Sequence, residues 1–286
     1  MSAVGPGRLR ARAHPWLISC VAALRAGAGL CLAWPLASLL ASSGVGARSE
    51  GDRALFEAGG YLLLEVARVQ GPALMAAAHG LLPLLGVSLV LTTLCNALLL
   101  VGLNQSERLR WSELLRRALE RTPQLLAITA GAGLAQVVLV VIGSALVAAL
   151  PEPLAKPVAA TLLQGGAWLV VALSMGAVGG TSDVAKASLV RNDVRLTEAL
   201  AHAAQITLRR PLLSAWGFVP YSLPFLLGVA LAARLTEAVD VSKTGWWRVL
   251  AVFVVHQLVI VLAVAMRAAW YARTLRLTAT LAPQST

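Results

Sequence analysis

The stretch "RWSELLRRALERTP", Arg110–Pro123, interleaves leucine with charge and lies between two segments apolar enough to cross a bilayer. Leu114, Leu115, Ala118 and Leu119 fall on one helical face, while Glu113, Arg116, Arg117, Glu120 and Arg121 fall on the other. The spacing predicts an amphipathic helix lying in the membrane surface, its arginines toward lipid headgroups. Ser112 is placed to cap it, and Glu113 sits at the favourable N-terminal end of the helix dipole. Glu113 with Arg117 and Arg116 with Glu120 are i,i+4 pairs, each stabilising by about 0.2–0.5 kcal/mol. They explain how a charged helix persists at an interface and imply no chemistry. Pro123 would then mark the turn into the next span, since proline is tolerated in the first turn of a helix.

The same idea recurs as "RLTEALAHAAQITLRRP", Arg195–Pro211. Arg110-Trp111-Ser112-Glu113 aligns with Arg195-Leu196-Thr197-Glu198, Leu115 with Leu200, and Ala118 with Ala203. Thr197 takes the place of Ser112 as a cap, and Arg209, Arg210 and Pro211 close the second copy. "RLRARAHPWLIS", with Arg12 and Pro15, reads as a degenerate third copy. The unit is a surface elbow, an outward span and an inward span.

Composition sets the scale of this repeat. The chain is 58% hydrophobic and 13% charged, with mean hydropathy +0.76, whereas about a quarter of the residues of soluble proteins are charged. A helix needs about 20 apolar residues to span about 30 Å of hydrocarbon. Spans are expected near 18–42, 79–103, 124–149, 158–180, 212–233 and 249–270, with elbows over 106–122 and 191–211. The fold class is therefore all-α, a six-span polytopic bundle forming a single integral membrane domain over residues 1–286.

Sixteen basic residues fall in connections on the side of the termini and seven on the other, with Arg25 inside the first span. Six acids lie on the first side and seven on the second, so nearly all of the net charge of +11 collects on one face. The positive-inside rule places that face, and both termini, in the cytoplasm. Anionic lipid headgroups account for a basic inner face, which removes nucleic acid as a partner. Arginine outnumbers lysine twenty-one to three, a bias that suggests a high-GC bacterial genome and a cytoplasmic (inner) membrane.

Cys20, Cys31 and Cys95 all fall in expected spans and read as packing residues. The N-terminal "GRLRARAHPWLISCVAALRAG" resembles a signal peptide, but its apolar stretch is too long for one and fits an uncleaved first span. The outer connection Glu50–Gln70 has a broken apolar face around Gly59-Gly60, and Trp246 and Trp247 suit an interfacial aromatic rim.

Ionisable or polar side chains inside spans are the candidate sites. Arg25 lies about 9 Å toward the cytoplasm from the centre of its span at about 1.5 Å per residue; it could snorkel, pair inside the bundle, or touch lipid or substrate. His256, with Gln257 beside it, reads as an interhelical hydrogen bonder or a proton relay. His79 begins the second span, and Asn96, Gln136 and Gln164 read as interhelical hydrogen-bonding groups. Asp183 could cap the fourth span and pair with Lys186 or Arg191, and Gly179-Gly180 before it could break the helix to admit a ligand. His202 stands four residues after Glu198, a modest surface pair. Headgroup contacts fall to Arg116, Arg117, Arg121, Arg209 and Arg210.

There is no P-loop, no HExxH, and no Cys/His cluster of metal spacing, so no cofactor or metal is expected. Ser88 or Ser144 with His256 could in arithmetic form an intramembrane serine hydrolase, although serine in membranes serves mainly close packing. The long outer connection, the arginine-rich elbow and "DVAKASLVRNDVRLTEALAHAAQITLRRP", Asp183–Pro211, resemble uncharacterised six-span bacterial inner-membrane proteins. More distantly, the chain is similar to the membrane domain fused to some glycerophosphodiester phosphodiesterases. It carries no phosphodiesterase catalytic domain, so the resemblance implies architecture and not that activity. The expected function is a non-enzymatic, membrane-embedded subunit or scaffold with protein partners in a larger assembly. Its rival is a small transporter or permease-like bundle for a small molecule or lipid.

Overall fold

The structure, a computed structural model, describes residues 14–42, 71–105, 109–149, 157–209, 217–239 and 246–280. Among these there is no strand. The described residues form seven helices in order: α1 Pro15–Ser42, α2 Gly71–Leu103, α3 Trp111–Ala148, α4 Pro157–Asn192, α5 Leu196–Arg209, α6 Val219–Val239 and α7 Trp246–Thr280. Five of them, α2, α3, α4, α6 and α7, are long and apolar enough to cross a membrane, and α1 contributes a shorter apolar stretch, Pro15–Cys31. The outer connection Glu50–Gln70, Arg210 and Pro211 lie outside the described residues.

The helices overshoot the expected spans. At about 1.5 Å per residue, the 38 residues of α3 and the 36 of α4 reach well beyond 30 Å of hydrocarbon. Pro123 lies inside α3, which continues through it without interruption. The expected turn at Pro123 is therefore absent, and the first elbow is the opening three turns of a membrane-length helix. The Thr122 hydroxyl donates to the Ala118 carbonyl beside the proline, at 2.8 Å. Gly179 and Gly180 likewise interrupt nothing, because α4 is continuous across them.

Neither expected cap holds. Arg110 and Arg195 precede the two helices, so Ser112 and Thr197 are already helical. Glu198 accepts a hydrogen bond from the Arg195 backbone N–H at 3.3 Å, the returning half of a capping box. The i,i+4 pairs form as expected: Arg117 to Glu113 at 2.6 Å and Arg116 to Glu120 at 2.9 Å, with Arg116 also reaching Glu113 at 2.9 Å.

Chain contacts divide into two units. The first holds residues 1–18, 96–224 and 265–286, hence all of α3, α4 and α5. Its core gathers Leu98 to Leu100 of α2, Leu114 and Leu125 of α3, Leu189 of α4 and Leu275 of α7, all inaccessible. Leu17 of α1 seats against Gly102, where an added Cβ would lie 2.6 Å from its side chain. Trp16 meets Trp111 edge to face with ring centres 6.5 Å apart.

Within that unit α3 and α4 run antiparallel. Gln136 donates to the Met175 carbonyl at 3.1 Å, and Gly143 opens room for Val171. Near the other end of their contact, Arg121 pairs with Asp193. Asp193 has φ 55, a left-handed residue that ends α4 and reverses the chain into α5. From there α5 runs back along α4, joined by Ser188 to His202 at 3.3 Å and Thr181 to Thr207 at 2.9 Å. Ala199, Ala203 and Ile206 are its buried positions. The expected pairing of His202 with Glu198 gives way to this contact with Ser188.

The second unit holds residues 19–95 and 225–264. In it the Arg25 guanidinium lies near the Cys95 thiol, and Leu262 packs against Gly228. Arg248 stacks on Trp247, 5.3 Å from the ring centre.

Leu114 is inaccessible, whereas Leu119 is 51% exposed. Replacing Leu114 with alanine should therefore destabilise the protein by about 2–5 kcal/mol, while Arg116→Gln, at an exposed ion pair, should cost far less. Thermal unfolding of the detergent-solubilised chain checks the order; equal losses would mean that Leu114 does not anchor α3.

Candidate functional site

Asp183 is a buried acid of the first unit with partners on two helices. It lies in α4, 4% exposed, among Val184, Ala185 and Ser182. A carboxylate cannot be buried at that level unless its oxygens are matched by donors. Arg267 of α7 supplies one through Nη2 at 2.7 Å to Oδ1, and Trp270 supplies another through Nε1 at 2.9 Å to Oδ2. The Lys186 ammonium stands 3.6 Å from Oδ1, one turn along α4 and itself 4% exposed.

The sequence of α7 makes this possible. In Met266–Arg273, Arg267, Trp270 and Tyr271 follow at i, i+3 and i+4 and share one helical face. Arg267 also donates to the Tyr271 hydroxyl at 2.9 Å and lies over its ring at 4.5 Å. The aromatic contacts continue to α6, where Tyr221 sits 5.6 Å from Trp270 with rings tilted by 53°. Arg273 covers Tyr221 at 5.9 Å and donates to the Gly217 carbonyl at 3.4 Å. One carboxylate thus joins α4 to α7, and the aromatic residues around it join α7 to α6.

Of the expected partners of Asp183, Lys186 is present, while Arg267 stands where Arg191 was expected. Arg267, Trp270, Tyr271 and Tyr221 were not anticipated. A signal existed: Asp183 is the only acid between Glu152 and Asp193, and "RAAWY" puts two hydrogen-bond donors on one face of the last span.

The remaining candidates are dispersed. Gln136 bridges α3 to α4, the interhelical role expected of it. Asn96 is buried in α2. His256 is exposed, and its Nδ1 pairs with the Val252 carbonyl of its own helix at 2.8 Å, so the expected bond to another helix is replaced by a local one. Gln257 beside it is half-buried. The Ser144 hydroxyl donates to Val140, also within its own helix. His79 lies within α2, whose start precedes the expected span by eight residues.

Arg116, Arg117 and Arg121 converge with Arg191 on a second feature, a cleft of about 540 Å³ at the ends of α2 and α4 and the start of α3. Asn104 closes one wall by donating to the Val190 carbonyl at 3.4 Å. Arg209 is exposed at the C-terminal end of α5 and takes no part in the cleft. Among the described residues no group of His, Cys, Asp or Glu has metal-binding spacing.

Removing the Asp183 carboxylate would strand two nearby cations. Asp183→Ala should cost about 3–5 kcal/mol, Trp270→Phe about 1.5–3 kcal/mol for one charged hydrogen bond, and Lys186→Met the least, because Arg267 still neutralises the acid. Thermal unfolding in detergent gives the ranking, and a Lys186 variant worse than the Asp183 variant would refute it. Searches against protein-family models, curated proteins and solved structures find no match for this chain.

Proposed function

We propose that this chain is a six-span protein of the bacterial cytoplasmic membrane, with both termini in the cytoplasm, acting as a non-catalytic subunit or scaffold of a larger membrane assembly. One observation carries the reading. The most apolar stretch of α4 buries none of its residues within the chain, and Leu162, Leu163, Leu169 and Val170 are all exposed. Such a surface must be covered by lipid or by the helices of a partner.

The polar groups support the same choice over a transporter. A transport path would draw on side chains converging near mid-membrane, yet Gln136 is engaged with Met175, His256 with Val252, and both oxygens of Asp183 with α7. A buried, fully coordinated carboxylate fixes helices in place, which suits a scaffold.

Extraction of the tagged chain from its own membrane in a mild detergent should yield a stoichiometric protein partner. A monodisperse lone bundle would overturn the subunit reading. A fluorescent protein fused after Thr286 should fluoresce, as it does only in the cytoplasm, whereas an active alkaline phosphatase fusion there would reverse the topology.

A further inference from the structure

A second cavity lies within the same unit as the arginine cleft. It is an apolar groove of about 390 Å³ between α3, α4 and α5, walled by Ile128 and Gly131, by Ala177 and Val178, and by Leu196 and Leu200. Thr181 adds little polarity, because its hydroxyl is held by the Ala177 carbonyl at 2.7 Å and by Thr207. Cleft and groove share α3. Arg116, Arg117, Glu120 and Arg121 line the first, and Ala127, Ile128, Gly131 and Ala132 line the second.

Each set lies eleven residues from the other, about three helical turns, so they occupy one side of α3 about 16 Å apart. Leu196 of the groove is three residues from Asp193 of the cleft. A basic site and a greasy one, stacked at that distance along a membrane helix, match an anionic head and the chain it carries.

The charge in the cleft favours a phosphate. Arg116, Arg117, Arg121 and Arg191 face only Glu120 and Asp193 in its wall, and counting Glu113 beside them still leaves one positive charge in excess. Arg117 gives Glu113 only its Nε and Arg121 gives Asp193 only one Nη, so further donors of both forks remain for an anion.

We propose that this chain holds an anionic phospholipid as a bound ligand, its phosphate in the arginine cleft and an acyl chain in the groove along α3. The proposal rests on the membrane reading above but not on a protein partner or on which leaflet the basic end faces.

The test is lipid retention. The full chain is reconstituted in phosphatidylcholine nanodiscs containing some phosphatidylglycerol, and native mass spectrometry counts the lipid that stays on the ejected protein. Arg117→Gln with Arg121→Gln should lower phosphatidylglycerol retention at least about fivefold, the factor for one arginine near an anionic lipid.

Gly131 lines the groove and an added Cβ there meets nothing within 4 Å, so Gly131→Leu adds bulk at the groove wall without a clash at its Cβ. It should lower retention at least about fourfold, the factor for one buried methylene. Glu120→Gln, which adds net positive charge to the cleft, should raise retention, and this gain answers any doubt that the arginine variants merely misfold. Arg276→Gln, at an exposed arginine of α7 outside the cleft, should change nothing.

Unchanged retention in the double arginine variant and in Gly131→Leu would overturn the proposal. So would an equal loss in Arg276→Gln, the sign of diffuse attraction. If glycerol 3-phosphate displaced the lipid and Gly131→Leu had no effect, the cleft would be a site for a free phosphate ester, and the lipid reading would fall. A lone bundle on extraction would defeat the subunit reading while leaving these measurements intact.

Discussion

Burying a carboxylate costs several kcal/mol unless donors replace the water it loses, and Asp183 obtains those donors from another helix. That constraint organises the first unit. Arg267 and Trp270 can reach Asp183 only if α7 presents one particular face to α4, so the ion pair fixes rotation as well as distance. The same face carries Tyr271, and Trp270 in turn sets Tyr221 at the start of α6. On its other sides α4 is clasped by Gln136 of α3 and by His202 and Thr207 of α5. A hydrophobic contact would tolerate sliding between these helices; a charge with two directional hydrogen bonds does not.

Helix length explains where this packing is found. The buried residues of α4 cluster in its last third, Gly180 to Leu189, and those of α7 in Val264 to Thr278. Leu162 to Val170 of α4 and Leu250 to Val261 of α7 hold instead large exposed side chains. In hydrocarbon, apolar exposure has no cost, so these stretches need no internal partners. Buried and half-buried polar and charged side chains do need partners, and Asp183, Gln136 and Thr181 find theirs within the protein.

Much of the helical architecture was legible in the sequence, because apolar runs of membrane length and i,i+4 charge pairs are local properties. Glu113, Arg116, Arg117 and Glu120 needed only their own helix to be read correctly. Gln136 was legible as an interhelical donor because it lies in an apolar helix. Partners on other helices were not. Nothing near Asp183 in the chain distinguishes Arg191 from Arg267, since that choice depends on how α4 and α7 are rotated. His202 was assigned to its sequence neighbour and instead met Ser188, across a turn that only the left-handed Asp193 makes possible. Pro123 misled for the converse reason. Its local meaning is a helix start, but the helix was already under way, and the residues on either side of it carry α3 onward.

The repeated elbow shows how one local pattern reaches two ends. Both copies begin with an arginine before the helix and a glutamate three residues later, and their first buried positions coincide, Leu114 with Ala199 and Ala118 with Ala203. The difference is size. Leu114 fills space in a core of leucines, and α3 passes on into a membrane-length helix. Ala199 and Ala203 leave room for another helix, so α5 can lie close along α4, near enough for threonine to meet threonine at 2.9 Å. Small residues at the same register thus turn a copy of the opening of α3 into a short brace against α4. That brace lies along the turns of α4 in which the Asp183 carboxylate is buried, so the second copy supports the ion pair that holds α7 in place.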